Sequence, residues 1–318
     1  MKVIVAGGTG FIGKALTQAL LDKAYQVIIL TRSPEKSPSK NPSLRFVQRD
    51  PFRIGGPWER EVDGADVVIN LAGESIAAKP WTPAQKKILL ESRTRSVMAI
   101  YQAIEKAASR PKVLLNSSAV GYYGPCGDEI LEENSKPGTG FLADLCRQWE
   151  GEVMKAEALN VRTIRLRTGL VLGRGGGVLA KMLPPFRLGI GGPLGDGKQW
   201  MSWIHLGDLT QMILFLIERP EGFGAFNATA MNPVRMNEFA KILGQVLRRP
   251  AFFRVPRFVL KIFIGEMSEM LLTGQCALPQ RAIQLGFSFQ YPALEPALQQ
   301  ILNKEHTPAS LLQKERKV

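Results

Sequence analysis

Short apolar runs and longer amphipathic ones alternate along the first half of the chain. Val3 to Ala6 is followed by Phe11 to Lys23, then by Val27 to Thr31, Leu44 to Gln48 and Val67 to Leu71. Brief β-branched runs bounded by turn residues read as strands, and the stretch from Phe11 to Lys23 carries its apolar side chains at helical spacing. This rhythm predicts right-handed βαβ crossovers and a parallel sheet. Thr82-Pro83 is a helix start signal, and Ile88, Leu89, Val97, Ile100 and Ile104 mark the apolar stripe of a helix from Thr82 to about Ala108. Val113 to Leu115 reads as a further strand, Phe141 to Leu159 as a helix, and Val161 to Leu172 as a strand running into Arg174-Gly-Gly-Gly. Pro184 to Gly197 is too irregular for a sheet core and too apolar for a linker, which predicts a substrate-side loop. Trp203 to Glu218 then predicts a helix, Ala225 to Ala228 a strand, and Pro233 opens a second lobe.

The first strand leads directly into Gly7-Gly8-Thr9-Gly10-Phe11-Ile12-Gly13, which opens the first helix. Strand, glycine loop and helix in that order form a dinucleotide cradle. The glycines allow the tight turn and the approach of backbone N–H groups to a pyrophosphate, and the helix N-terminus adds its positive end. The expected organisation is thus α/β. A doubly wound parallel Rossmann sheet would come from residues 1–174 and 203–230, a smaller interleaved C-terminal substrate lobe from 175–202 and 231–305, and a tail from 306–318.

In NAD-preferring proteins of this kind an acid about 20 residues past the loop holds the ribose hydroxyls, whereas an Arg suits a 2′-phosphate. Here the second strand ends in Thr31-Arg32-Ser33, so NADP(H) is expected over NAD(H). Asp50 either accepts from the adenine amine or forms a turn before Pro51. Asn70-Leu71-Ala72-Gly73 ends the fourth strand with small residues, as close approach of a cofactor to backbone requires.

Composition then narrows the class. At 318 residues, 45% hydrophobic and 22% charged, the chain is ordinary for a globular protein of two lobes. It has no uncharged apolar window of about 18 residues, and its first apolar run is a strand rather than a leader. A mature N-terminus, a cytoplasmic location and no membrane partner are the expectations. Cys126, Cys146 and Cys276 show no paired spacing, which argues against disulfides and against a metal site. The net charge of +13 comes from scattered Lys and Arg, with part of it in the run Gln313 to Lys317, so nucleic acid is not the expected partner. A small-molecule substrate is expected, with self-association left open.

The loop GGTGFIG, NLAG after the fourth strand, SSAVGYYG after the fifth and WIHLGDL later resemble the extended short-chain dehydrogenase/reductases. More narrowly, PPFRLGIGGPLGDGKQWMSWIH, LAGESI, Glu91-Ser92-Arg93, RTGLVLGRGGG and RPAFF resemble the atypical sugar-nucleotide epimerase-like subgroup, called epimerase family proteins, which carries a small C-terminal domain of unknown function. The likeness runs to about Leu302. It implies that Thr31 and Arg32 face the adenosine phosphate, Asn70 and Leu71 the middle of the cofactor, Arg93 a phosphate or ribose, and Gly169, Leu170 and Val171 the nicotinamide.

Hydride transfer at a carbinol or carbonyl calls for a Tyr activated by a Lys, with a Ser orienting the oxygen. Ser117 and Ser118 stand at the expected place, but the helix from Gly140 to Arg147 has neither Tyr nor Lys at the family's positions. Tyr122 or Tyr123 is the available substitute, with Tyr123 taken as the candidate catalytic residue. Cys146, near the vacated Lys position, reads as an inert thiol. Gln199, Trp200 and His205 are the candidate substrate-side residues. The expectation is an NADP(H)-binding oxidoreductase or epimerase-like enzyme, and a non-catalytic NADP(H)-binding redox reporter or scaffold is the alternative.

Overall fold

The computed structural model describes residues 1–36, 39–50 and 53–303. Seven parallel strands form its central sheet. They are β1 (Lys2–Ala6), β2 (Gln26–Thr31), β3 (Leu44–Gln48), β4 (Val67–Asn70), β5 (Val113–Ala119), a sixth strand Arg162–Thr168 and a seventh, Gly224–Ala228. From one edge the order is seventh, sixth, β5, β4, β1, β2, β3. The order reverses between β1 and β4, and ligands of open α/β sheets bind at the carboxyl ends of the strands at that switch point.

Both faces of the sheet are covered, which explains the continuous apolar runs. Val3, Val5, Val27, Ile29, Val67 and Ile69 pack with Leu16 and Leu20 of α1 (Phe11–Asp22) and with a helix over Leu206–Glu218. Ile4, Ala6, Ile28, Leu30 and Val68 point the other way, against α2 (Pro83–Lys106) and α3 (Phe141–Met154). Thr82 caps α2 by accepting from the Gln85 amide at 3.1 Å, as its start signal predicts.

Three expectations are corrected. The strand expected from Val161 to Leu172 is broken at Gly169, and Leu170–Leu172 leaves the sheet to pair in parallel with Trp203–His205. A Cβ at Gly169 would lie 2.4 Å from the Ser202 carbonyl oxygen, so only glycine permits this change of partner. The expected helix Trp203 to Glu218 therefore begins as a strand and becomes helical only at Leu206. Pro184 and Pro185 are not loop residues but lie inside α4 (Gly177–Arg187). Burial of Leu179 and Phe186 holds that helix despite the two missing N–H donors, and the irregular loop starts at Leu188. A third apolar cluster joins α4 to helices α6 (Met236–Leu247) and Leu294–Leu302 through Leu179, Phe239, Leu243, Leu298 and Ile301. The expected tail falls outside the described residues.

Candidate functional site

The phosphate loop is shaped by what its glycines lack. Gly7 has φ +84°, and a Cβ there would meet the Leu71 carbonyl carbon at 2.8 Å. A Cβ on Gly13 would come within 2.3 Å of the Gly7 oxygen and 2.6 Å of Gly8 Cα. Gly10 is the N-cap of α1, with no side-chain cap and no acid in the first turn. The first N–H groups of α1 therefore have no acceptor from a capping side chain and are available to an anion. Thr9 and Gly10 are exposed, Phe11 and Ile12 half-buried. The ring of Phe11 rests on the glycine run after the short strand Leu170–Leu172, 2.9 Å from a virtual Cβ on Gly173 and 2.3 Å from one on Gly176.

At the end of β2, Thr31 is half-buried and Arg32 is exposed, with no hydrogen bond or ion pair among the described residues. Arg49, which sequence reasoning missed, is buried beside it: its amide donates to Thr31 O (2.8 Å), its guanidinium to Ser96 O (2.9 Å) and Ser96 Oγ (3.1 Å), and it stacks over Trp58. Burial pulls its pKa down to about 10. Asp50 is exposed, and its carbonyl accepts from Arg53 N at 3.2 Å; Pro51, on which the turn reading rests, lies outside the described residues.

Asn70 is fully buried and works from behind. Its amide nitrogen donates to Asn116 Oδ1 (2.7 Å), while its oxygen accepts from Ser96 Oγ (3.1 Å) and from the Ala72 amide (3.2 Å). What it offers a cofactor is the fixed backbone of Leu71 and Ala72. Arg93 has a similar role: it donates to Leu89 O and Glu74 O at 3.0 Å each, lies over Trp149, and sits 3.3 Å from a virtual Cβ on Gly73. Desolvation lowers its pKa.

The hydroxyls expected to carry catalysis are divided by the fold. On β5, Ser117 shares the parity of Val113 and Leu115 and faces the α1 side, whereas Ser118 faces α3 and donates to Glu150 Oε1 at 2.7 Å. Tyr123 is 0% exposed. Its phenol donates to Asn227 Oδ1 (2.7 Å), lies 3.0 Å from Glu132 O, and accepts from Arg167 Nη1 (3.0 Å). Burial pushes its pKa up to about 12. Ser118 and Tyr123 are thus brought together, but in a sealed network around the ion pair Arg167–Glu150, whose guanidinium meets both carboxylate oxygens at 2.9 Å. Their candidate role as catalytic groups is corrected on that ground: neither can reach a substrate. Tyr122 is half-buried under the Arg167 guanidinium, 3.5 Å from its ring centroid, and like Ser117 its hydroxyl makes no hydrogen bond among the described residues. Cys146 is buried, and desolvation raises its thiol to about 11, as expected of an inert position. The signal for the missed network was present: Arg167 alternates with Ile164 and Leu166 on a strand of the central sheet, and Glu150 lies one helical turn beyond Cys146.

Gly169, Leu170 and Val171 are half-buried just past the carboxyl edge, where Leu170 N donates to Ser202 O at 2.7 Å. Nearby a cleft of about 740 Å³ is lined by Asp128, Gln199, Trp200, Arg235, Arg257 and Thr273, among others. Gln199 staples its walls by donating to Leu194 O (3.1 Å) and Leu271 O (2.7 Å), and its own Oε1 is buried without a partner among the described residues. Trp200 Nε1 donates to Asp128 (3.2 Å), and Arg235 both stacks on the indole at 3.9 Å and pairs with Asp128 at 2.7 Å.

His205 is not among the lining residues of that cleft, which corrects its substrate-side assignment. Its Nδ1 accepts from Gly207 N at 3.1 Å as the cap of α5 (Leu206–Glu218), so Nε2 carries the proton and donates to Gln300 Oε1 at 3.0 Å. Burial lowers its pKa, so the folded state favours the neutral ring. A depressed folded pKa means that stability is fully present above the ordinary value of 6.5 and is lost as pH falls below it. His205→Ala should cost about 1 kcal/mol at neutral pH and flatten that acid-side decline; an unchanged slope in denaturation between neutral and mildly acid pH would contradict the assignment.

Comparison with known proteins agrees with the fold. Residues 3–229 match the model of the NAD dependent epimerase/dehydratase family, and residues 255–301 a domain of unknown function, DUF1731. The chain is 41% identical over 309 residues to the chloroplastic epimerase family protein SDR39U1 homolog of Arabidopsis thaliana, covering 95% of this chain and 87% of that one. It is 39% identical to the epimerase family protein YfhF of Bacillus subtilis, over 96% of this chain and 100% of the relative. The crystal structure of human epimerase family protein SDR39U1 (isoform2) with NADPH superposes with a TM-score of 0.82 at 33% identity, over 95% of this chain and 99% of that chain. The switch-point cradle, the parallel seven-stranded sheet and a match across most of its length show that the chain belongs to the NAD dependent epimerase/dehydratase family.

Proposed function

We propose that the chain is an NADP(H)-dependent oxidoreductase or epimerase-like enzyme whose coenzyme lies along the carboxyl edge from Arg32 to Val171. The small polar or nucleotide-linked substrate enters beneath the lobe of residues 175–202 and 231–303. The glycine loop, whose close backbone packing a Cβ at Gly7 or Gly13 would break, and the uncapped start of α1 fit a pyrophosphate. The coenzyme, when bound, supplies or accepts a hydride. The chain itself holds the pyrophosphate on the amides of the loop Gly7 to Gly13, fixes the backbone of Leu71 to Gly73 through Asn70 and Arg93, and backs the nicotinamide with Gly169 to Val171. Lys181 of α4 reaches across to Ala77 O (3.2 Å), which ties α4 to the segment after β4. Tyr122, not Tyr123, is the phenol left for proton transfer. The cleft volume of about 740 Å³ lies within the usual range for small-ligand sites.

Arg32, exposed and unpaired among the described residues, carries the coenzyme choice, and the relative crystallised with NADPH supports it. Arg32→Ala should weaken NADPH binding by roughly ten- to a hundredfold and NADH binding hardly at all. Equal losses in calorimetric titrations with the two would refute the phosphate role.

A second reading, a non-catalytic NADP(H)-binding redox reporter or scaffold, is favoured by one observation: α3 has no Tyr or Lys, and Tyr123 is sealed. Nicotinamide absorbance changes with a metabolite panel would support the enzyme, whereas NADPH-dependent capture of a protein partner without turnover would support the reporter.

A further inference from the structure

The C-terminal lobe carries an exposed apolar surface that no part of the described fold covers. Helix α7 (Arg257–Ile264) has no buried residue, with Phe258 64%, Ile262 74% and Phe263 79% exposed. A second exposed group lies around the loop after α4: Leu188 75%, Ile190 58% and Phe252 71% exposed. Phe253 N donates to Gly191 O at 3.3 Å and the Phe252 and Phe253 rings lie 4.5 Å apart, so the loop and the segment before α7 are one surface.

Charge decides what fits it. From Phe239 to Gly265 the sequence has six cationic side chains and no acid. Arg187, Arg249 and Lys261 are exposed and form no ion pair among the described residues. Beside the aromatic pair is a shallow groove of about 440 Å³ lined by Lys241, Arg248, Arg249 and Phe252. A second copy of the chain would oppose cation to cation across this face. A nucleic acid would take the cations but leave the Phe and Ile side chains in water.

We propose that this surface docks on an anionic phospholipid membrane: the apolar side chains enter the acyl boundary and the cations meet lipid phosphates, with the groove taking a headgroup. Apolar side chains flanked by Lys and Arg, with no acid between them, are what interfacial binding requires. Arg257, at the start of α7, also lines the 740 Å³ cleft, so docking would bring the cleft mouth towards the bilayer.

The test is flotation of the full chain with vesicles of phosphatidylcholine alone or mixed with phosphatidylglycerol, at low and high salt. Binding is expected only to the anionic vesicles and should fall with salt. Phe258→Ser with Ile262→Ser and Phe263→Ser should abolish it. Arg187→Glu, Arg249→Glu and Lys261→Glu should each reduce it by about fivefold or more. All these variants should retain the wild-type melting temperature and NADPH affinity, because the altered side chains are exposed. Equal recovery with both vesicle types, or a wild-type dimer that dissociates on Phe258→Ser and ignores lipid, would overturn the proposal.

Discussion

Gly13→Val is expected to remove dinucleotide binding while leaving a folded protein. Gly13 packs against backbone, with a virtual Cβ 2.3 Å from the Gly7 oxygen and 2.7 Å from the Gly8 carbonyl carbon. No flexible side chain is there to yield, so a larger residue must push the start of α1 away from the end of β1. The amides aimed at the pyrophosphate then lose their common focus. Two charge-assisted hydrogen bonds lost at roughly 1.5–3 kcal/mol each correspond to two or more orders of magnitude in affinity. Calorimetric titration with NADPH and NADH measures this, with circular dichroism as the folding check. Gly151→Ala is the matched control: nothing lies within 4 Å of its virtual Cβ, and Ala in α3 should stabilise by up to about 1 kcal/mol. Wild-type affinity in Gly13→Val would mean that the cradle does not hold the coenzyme.

Glu150→Ala should be the most destabilising single change at the ends of β5 and the sixth strand. Arg167 and Glu150 side chains are 5% and 6% exposed. Burial alone works against the charge on Arg167, but hydrogen bonding to Glu150 outweighs it and raises the pKa. Removing the carboxylate leaves a buried guanidinium without its counter-ion, a loss of about 3–5 kcal/mol. Tyr123→Phe should cost a smaller amount, about 1–3 kcal/mol, by leaving Asn227 Oδ1 and Arg167 Nη1 short of a partner. It should leave any pH–rate profile unmoved, since its phenol does not meet substrate. Urea denaturation distinguishes these cases. A loss of less than about 1 kcal/mol in Glu150→Ala would show that the pair is not the keystone of this corner.

The strands β1 to β5, the glycine loop and α2 were legible because each rests on local chemistry: parity of burial, absence of Cβ, a Thr-Pro start. The breaks were not. Gly169 ends a strand because of the Ser202 carbonyl, a contact between residues far apart in sequence. Pro184 and Pro185 read as breakers, yet burial of Leu179 and Phe186 outweighs the two lost hydrogen bonds. At the site, composition placed a phenol and serines at the right edge but could not say which way each points. One residue of register separates Ser117 from Ser118 and puts them on opposite faces. A single residue likewise separates Tyr122, partly open, from Tyr123, closed. The buried Arg49 was missed because its partners, Ser96 and Trp58, come from separate elements.

Phe11 opens the phosphate helix, yet its ring forms the floor under Gly173, Gly176 and Gly177, which lead into α4. A single aromatic side chain is therefore common to the glycine loop at the start of α1 and to the glycine run that enters α4. A side chain added at Gly173, Gly176 or Gly177 would collide with the first residue of α1, so the start of α4 and the start of the phosphate helix must be built to fit one ring.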